Sequence, residues 1–263
     1  MNFLEAIIFG LVQGITEFLP VSSSGHLTLF GRIFAVEEAA MMSFTTLLHM
    51  GTLIAVFVVM RREIGGILRD IFGRMTWLIV VATIPAVIAA IILGDWLDSL
   101  FGGSMLGYSF LMTAVILLTS LLWRHEKTSG DVGYKEAVLG GIGQAIAIVP
   151  GISRSGTTIT ALLLSGVERQ KAIRFSFLMS IPAILGGFAL DVYHLIKGEG
   201  SAVLDLGIGN IIIGVLAAAA SGWLVMEFML RKLNRRGFIY CAIYAAILGI
   251  LILIDQSVTH FIF

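Results

Sequence analysis

The sequence predicts an all-α integral membrane protein: an inverted-topology repeat of two halves, each with one re-entrant helical hairpin and three transmembrane helices. Three observations carry this prediction. The 263 residues are 58% apolar and only 13% charged, with a mean hydropathy of +0.99, far from the composition of soluble domains. A polar cluster near the start recurs 131 positions later without a gap: Glu5, Ala6, Gly10, Gln13, Ile15, Ser22, Ser24 and Gly25 return as Glu136, Ala137, Gly141, Gln144, Ile146, Ser153, Ser155 and Gly156. The register then pairs Phe44 with Phe175, Leu47 with Leu178 and Phe57 with Phe188. Third, the basic residues gather in alternate connecting segments.

In chain order, residues 1–131 form the first half and 132–263 the second, within one membrane domain. Segment 3–32 is apolar but broken midway by Leu19-Pro-Val-Ser-Ser-Ser-Gly25, and segment 134–165 by Val149-Pro-Gly-Ile-Ser-Arg-Ser-Gly156. Proline removes a backbone donor, and Gly and Ser permit a sharp reversal. Such backbone is tolerated at membrane depth only where protein or trapped water satisfies it, so both segments read as re-entrant hairpins. A hydrocarbon core of about 30 Å needs roughly 17–25 helical residues. Segments 43–60, 76–93 and 106–123 qualify in the first half, and 174–191, 207–230 and 238–254 in the second.

A hairpin that returns to its own side plus three crossings turns the second half upside down relative to the first. Charge placement gives the same answer. Apart from Arg32, Arg154 and Lys197, every Lys and Arg lies in 61–74, 124–135, 166–174 or 231–236, and cytoplasmic loops carry such an excess. The opposite loops carry Glu37, Glu38, Asp95, Asp98, Glu199, Asp205 and Asp255. Both termini are therefore expected outside, with hairpin one entering from outside, hairpin two from the cytoplasm, and their tips meeting near midplane.

The formal net charge is zero and no basic block is long enough to track a nucleic-acid backbone, so nucleic acid is not expected as a partner. The single cysteine, Cys241, has no internal disulfide partner and reads as a small packing residue. The first segment carries Glu5, Gln13 and Glu17 without a basic start or cleavage signal, so it reads as a retained helix.

Arg32 and Lys197 fit exposed positions, which leaves Arg154 at a hairpin tip within the membrane. A charge at that depth costs at least about 2.5 kcal/mol on insertion scales, so it needs a partner or a ligand. One reading is a buried ion pair with Glu17 that holds the tips together. The other is an anion site, in which the guanidinium, Ser153, Ser155, Thr157, Thr158 and the backbone amides at Gly151 and Gly156 offer donors to phosphate oxygens. Gln13 and Glu17, four apart, share a helix face. A carboxylate beside phosphate is repulsive unless a metal bridges them or it takes up a proton, and magnesium or calcium suits such oxygen ligands. Glu17 and Gln13 are the candidate metal ligands. His26 follows Ser22, Ser23, Ser24 and Gly25; it either caps or packs, or acts as base or nucleophile, with a tip serine as the alternative attacking group. His49 and His194 read as structural.

These strings resemble a known family. Gln13-Gly-Ile-Thr-Glu17 followed by Phe-Leu-Pro-Val-Ser-Ser-Ser-Gly-His26 resembles the first signature of the undecaprenyl-diphosphate phosphatases, the bacitracin resistance proteins of the BacA type, which admits Gln or Glu at Gln13. Pro150-Gly-Ile-Ser-Arg-Ser-Gly-Thr-Thr158 is similar to the second. The likeness covers essentially the whole chain. It implies an inner-membrane phosphatase that converts a long-chain polyprenyl diphosphate lipid to the monophosphate carrier for peptidoglycan and other envelope polymers. It also implies a site open to the outer side, a divalent cation and resistance to bacitracin. Carried over by position, it makes Glu17, His26, Ser23 and Arg154 catalytic, with Gln13, Ser22, Ser24, Ser153, Ser155, Gly156 and Thr158 binding substrate.

The rival reading is a transporter or flippase of a polyprenyl phosphate or small anion, because inverted repeats with broken helices also build transporters. A scaffold without turnover fits poorly with intramembrane charge. Membrane lipids are partners on any of these readings, and a homo-oligomer is left open.

Overall fold

The computed structural model describes residues 1–98, 100, 103–122, 130–196 and 206–263. Among them regular structure is helical, apart from one isolated parallel bridge between Gly130 and Val167. Eleven α-helices follow one another among the described residues: α1 (Phe3–Phe18), α2 (Ser23–Ile33), α3 (Glu38–Val59), α4 (Arg61–Arg69), α5 (Arg74–Asp98), α6 (Leu106–Thr119), α7 (Tyr134–Ile146), α8 (Arg154–Leu164), α9 (Arg169–Ile196), α10 (Ile208–Lys232) and α11 (Arg235–Ile254). Five stretches are long and apolar enough to cross a membrane, on α3, α5, α9, α10 and α11. The sixth expected span is a shorter apolar helix, Leu106–Leu122, whose last turn is 3₁₀ over Ser120–Leu122. Trp123, Arg124, Lys127, Lys197, Glu199 and Asp205 lie outside the described residues, as do the side chains of Asp95, Asp98 and His194.

Much of the 131-residue repeat proves to be scaffold. Glu5 and Asn2 form a capping box at α1, with Glu5 N donating to Asn2 Oδ1 at 2.9 Å and Asn2 N to Glu5 Oε2 at 2.7 Å. Its counterpart Glu136 accepts Gly133 N at 3.0 Å, the one half of such a box that a glycine N-cap permits. Ser22 and Ser153 are N-caps of α2 and α8, accepting from Gly25 N at 3.2 Å and Gly156 N at 3.1 Å. Gly10 lets α1 lie directly on α10, since a Cβ there would meet the backbone of Gly214, and Gly141 does the same for α7 against Ala82 of α5.

Packing partners exchange between the halves in the same register. α1 packs on α10 and α7 on α5; α2 packs on α3 and α8 on α9; α3 meets α10 and α9 meets α5. α3 with α9 and α6 with α11 are pairs of counterparts. The largest apolar cluster gathers Phe18, Val56, Leu78, Ile159, Phe177, Met226 and Phe238 from both halves; between membrane helices such contacts stabilise by close packing rather than by removal from water.

The segment 61–74, expected as a loop, contains α4. Glu63 in its first turn and Arg69 in its last oppose the helix dipole, and Ile64 and Ile67 pack against the main cluster. The basic connections hold one another at one end of the bundle. Arg174 pairs with Glu63, Arg74 Nη2 donates to Val132 O at 3.0 Å, Arg169 donates to Leu233 O, and Arg235 Nη2 to Leu121 O at 2.9 Å. Elsewhere Asn210 Nδ2 donates to Met1 O at 2.9 Å and Gln256 Nε2 to Gly103 O at 2.8 Å.

Candidate active site

The site forms where two helix breaks meet. Leu19 precedes proline and is therefore extended, with φ −63° and ψ 139°, which ends α1. Ser22 then turns the chain at φ 72°, a left-handed conformation unusual for a residue with a side chain. At the second break the turn falls on Gly151, φ 90°, and Ser153 has an ordinary φ of −72°. The tips interlock: Gly151 N donates to Ser24 Oγ at 3.2 Å and Ser155 Oγ to Leu19 O at 3.3 Å. Thus the repeated serines Ser24 and Ser155 each bond the backbone of the opposite break.

Glu17 is the hub. It is 5% exposed, and each of its oxygens has a defined set of neighbours. Oε1 pairs with Arg154 Nη2. Oε2 receives Ser23 Oγ at 2.5 Å and Gln13 Nε2 at 3.1 Å and lies 3.3 Å from His49 Nε2. A buried carboxylate persists only when paired and hydrogen-bonded, and this one is both. The other guanidinium N–H groups of Arg154 make no hydrogen bond among the described residues, so the pair leaves donors free for an anion.

His49, read from the sequence as structural, thus joins the site. Its Nδ1 lies 2.7 Å from Thr45 O. Both ring nitrogens face acceptors, so the doubly protonated ring satisfies both. The signal was a polar stripe, Thr45, His49 and Thr52, at helical spacing on an otherwise apolar span. Tyr244 was also missed. His26 Nδ1 lies 2.6 Å from Ser22 O and Nε2 2.7 Å from Tyr244 Oη. A carbonyl only accepts, so Nδ1 carries the proton, and neutral Nε2 accepts from the tyrosine hydroxyl. The two rings are parallel within 4° at 5.6 Å, and Phe110 meets His26 edge-on at 5.3 Å.

The remaining predicted binding residues surround the hub in different ways. Ser22 and Ser153 are caps, as above; Ser153 N also donates to Thr113 Oγ1 at 3.0 Å. The Thr157 hydroxyl donates to Ser153 O at 2.7 Å. Thr158 is bonded to Arg154 O at 2.8 Å and to Ser176 Oγ at 2.6 Å, away from the gap. Gly156 presents its amide to the Ser153 cap. The N-terminal turn of α8, headed by Arg154, supplies the positive end of a helix dipole at the junction.

Among the described residues no group of three or more His, Cys, Asp or Glu side chains could hold a metal. Gln13 Oε1, however, is buried and lacks a hydrogen-bond partner there, and its amide nitrogen is already on Glu17. This orphaned oxygen and the Glu17 carboxylate are hard-oxygen donors of the kind that magnesium or calcium takes.

Chemically, the junction combines a carboxylate poised on a serine hydroxyl, an arginine with spare donors and a helix N-terminus, which is a set suited to phosphoryl transfer. Comparison with known proteins agrees. The family described as Bacitracin resistance protein BacA matches residues 6–251. The chain is 38% identical over 263 residues to "Undecaprenyl-diphosphatase" of Carboxydothermus hydrogenoformans, covering 99% of this chain and 100% of that protein. It is 39% identical over 258 residues to "Undecaprenyl-diphosphatase 4" of Bacillus thuringiensis subsp. konkukian, 97% of this chain and 98% of that one. With "Undecaprenyl-diphosphatase" of Bacteroides thetaiotaomicron the identity is 37% over 265 residues, 97% of this chain and 100% of that one.

Proposed function

Because this chain belongs to the bacitracin resistance protein BacA family, we propose that it removes the terminal phosphate of undecaprenyl diphosphate. The product, undecaprenyl phosphate, is the lipid carrier for peptidoglycan and other envelope polymers, and lowering the diphosphate pool confers bacitracin resistance. The observation that carries this reading is Ser23 Oγ held 2.5 Å from Glu17 Oε2 while Arg154, from the other hairpin, holds Oε1.

Arg154 and the first turn of α8 bind the diphosphate. Ser23 Oγ attacks the terminal phosphorus as its bond to the bridging oxygen breaks, and the serine proton passes to Glu17 Oε2. Undecaprenyl phosphate leaves with the bridging oxygen. Water then attacks the phosphoserine as the bond from phosphorus to Ser23 Oγ breaks; Glu17 returns its proton to Ser23 Oγ, and both water protons leave with the released phosphate, one of them passing on to solvent at neutral pH. Both ring nitrogens of His26 are engaged, which favours Ser23 as the attacking group and gives His26 the role of supporting the Ser22–Ser24 turn. His49 keeps Glu17 oriented. Gln13 Oε1 and Glu17 would hold magnesium or calcium, which when bound neutralises charge on the transferring oxygens.

The finer architecture follows the same reading. The 131-residue register and the exchanged packing partners support an inverted repeat with two re-entrant hairpins, α1–α2 and α7–α8. The mutual bonding of the basic connections supports a single cytoplasmic face. Both termini then lie outside, and the site opens to the outer side of the inner (plasma) membrane.

The test is phosphate release from purified protein given undecaprenyl diphosphate with magnesium, calcium or chelator. Metal-dependent turnover that falls at least about a hundredfold in Ser23→Ala and in Arg154→Ala is expected. Wild-type rates in Ser23→Ala would overturn the serine mechanism, and a folded wild type that releases no phosphate would overturn the phosphatase reading.

A further inference from the structure

We propose that the groove between α1 and α11 receives the first isoprene units of the substrate's polyprenyl tail, and that Tyr244 joins this groove to the phosphate site. The inference rests on the phosphatase reading and deepens it. The groove has a volume of about 270 Å³; Ile15, Leu19 and Val21 form one wall and Tyr240, Cys241 and Tyr244 the other.

Two of these residues belong to both places. The Leu19 side chain lines the groove while its carbonyl accepts Ser155 Oγ at the junction of the tips, 3.3 Å away. Tyr244 lines the groove with its ring and donates its hydroxyl to His26 Nε2 at 2.7 Å. Thr16, also in the lining, is the chain neighbour of Glu17. An amphiphile whose diphosphate sits at Arg154 must pass its chain out through apolar surface, because burying polar backbone without partners is unfavourable. This groove begins where the diphosphate ends, and its rim residues Ile15, Tyr240 and Tyr244 face outward, being 40%, 67% and 47% exposed.

A second groove, of about 280 Å³, runs between α5 and α9 along Ile79, Val80 and Pro182. It matches the first in size and apolar character, yet none of its lining residues bonds the Glu17 cluster. It therefore serves as the internal control. The α1–α11 groove is also smaller than a site that encloses a drug-sized ligand, about 300–1,000 Å³. It holds only the start of the chain, so long and short polyprenyl diphosphates should depend on it alike.

The experiment measures KM and kcat for undecaprenyl diphosphate and for farnesyl diphosphate with wild type, Ile15→Trp, Cys241→Trp and, as control, Val80→Trp. Filling the α1–α11 groove should raise KM for both substrates about tenfold or more, with little change in kcat, while Val80→Trp leaves KM unchanged. In parallel, farnesyl diphosphate carrying a photoactivatable group on its first isoprene unit should label segments 15–21 and 240–244 of the wild type. An unchanged KM in the groove variants, or labelling confined to other segments, overturns the proposal; a groove occupied only by bilayer acyl chains gives that result. Should the tryptophan variants fail to fold, the labelling of wild type decides alone. Labelling of the groove by a protein that releases no phosphate from either substrate would sink the phosphatase reading and leave a lipid-diphosphate site.

Discussion

At the first break the chain carries Glu17, Ser23 and His26; 131 residues on, the matching positions of the second break carry Ile148, Arg154 and Thr157. The first turns on a strained Ser22, φ 72°, the second on Gly151, φ 90°. Tyr244 holds the first break through His26 Nε2, and its counterpart Thr113 holds the second by accepting Ser153 N and donating to Gly151 O at 3.3 Å. Caps, helix seats and tip-to-tip serine bonds are shared. The difference lies in the side chains that face across the junction, carboxylate and hydroxyl on one side and guanidinium on the other. Two similar helix breaks thus hold opposite charges on opposite elements, and neither break forms the site alone.

The strongest way to break this asymmetry is Glu17→Ile, which gives the first break the residue of the second. It leaves the partly buried Arg154 without its partner, a loss of up to about 3 kcal/mol, and should lower phosphate release about a thousandfold or more. Thermal unfolding in detergent and a phosphate assay check the two effects, and Glu17→Gln should restore much of the stability without the activity. The turn residues sharpen the comparison with opposite signs. Gly151→Ala puts a side chain at φ 90° and a Cβ 2.6 Å from Ser109 Cβ, which should destabilise by about 2–4 kcal/mol. Ser22→Gly relieves about 1–3 kcal/mol of strain and loses only a few tenths from the weaker cap, so its unfolding midpoint should rise. A fall in the Ser22→Gly midpoint would show that the first turn is not strained.

The smallest effect concerns the segments that flank α7 and α8, where the Gly130–Val167 bridge lies beside an Asp131–Lys171 pair. The hydrogen bond from Lys171, then its charge, holds the exposed Asp131 carboxyl below its usual range. A depressed carboxylate contributes stability above its unfolded pKa of about 4, and this is lost as pH falls through the lower folded value. Asp131→Asn should therefore flatten the acid limb of the stability profile slightly and leave neutral pH almost unchanged, as midpoints measured from pH 7 down to pH 3 would show.

The apolar segments, both breaks and the meeting of Glu17 with Arg154 were legible because each follows from composition, spacing or the cost of a buried charge. Tyr244 was not, since it comes from a helix that sequence alone cannot rotate toward the junction, and His49 showed only as part of a polar stripe with Thr45 and Thr52. Tyr244 is 218 residues from His26, and an exposed tyrosine on an apolar span has an ordinary reading as an interfacial residue. The α4 helix was hidden by its charge density, which reads as a loop until Ile64 and Ile67 are placed on the core. The repeated Glu5 and Glu136 attracted notice as polar residues in apolar sequence; their work is capping.

The seam between α1 and α10 has a consequence for biogenesis. Gly10 sits against Gly214, about two hundred residues later in the chain. At synthesis rates of about 5–20 residues per second, α1 waits roughly ten to forty seconds before its partner exists. Throughout that interval its glycine face, Gly10 and Gly14, is without the helix that covers it. The first half therefore enters the membrane as an unfinished surface, and the last helices to emerge complete the earliest one.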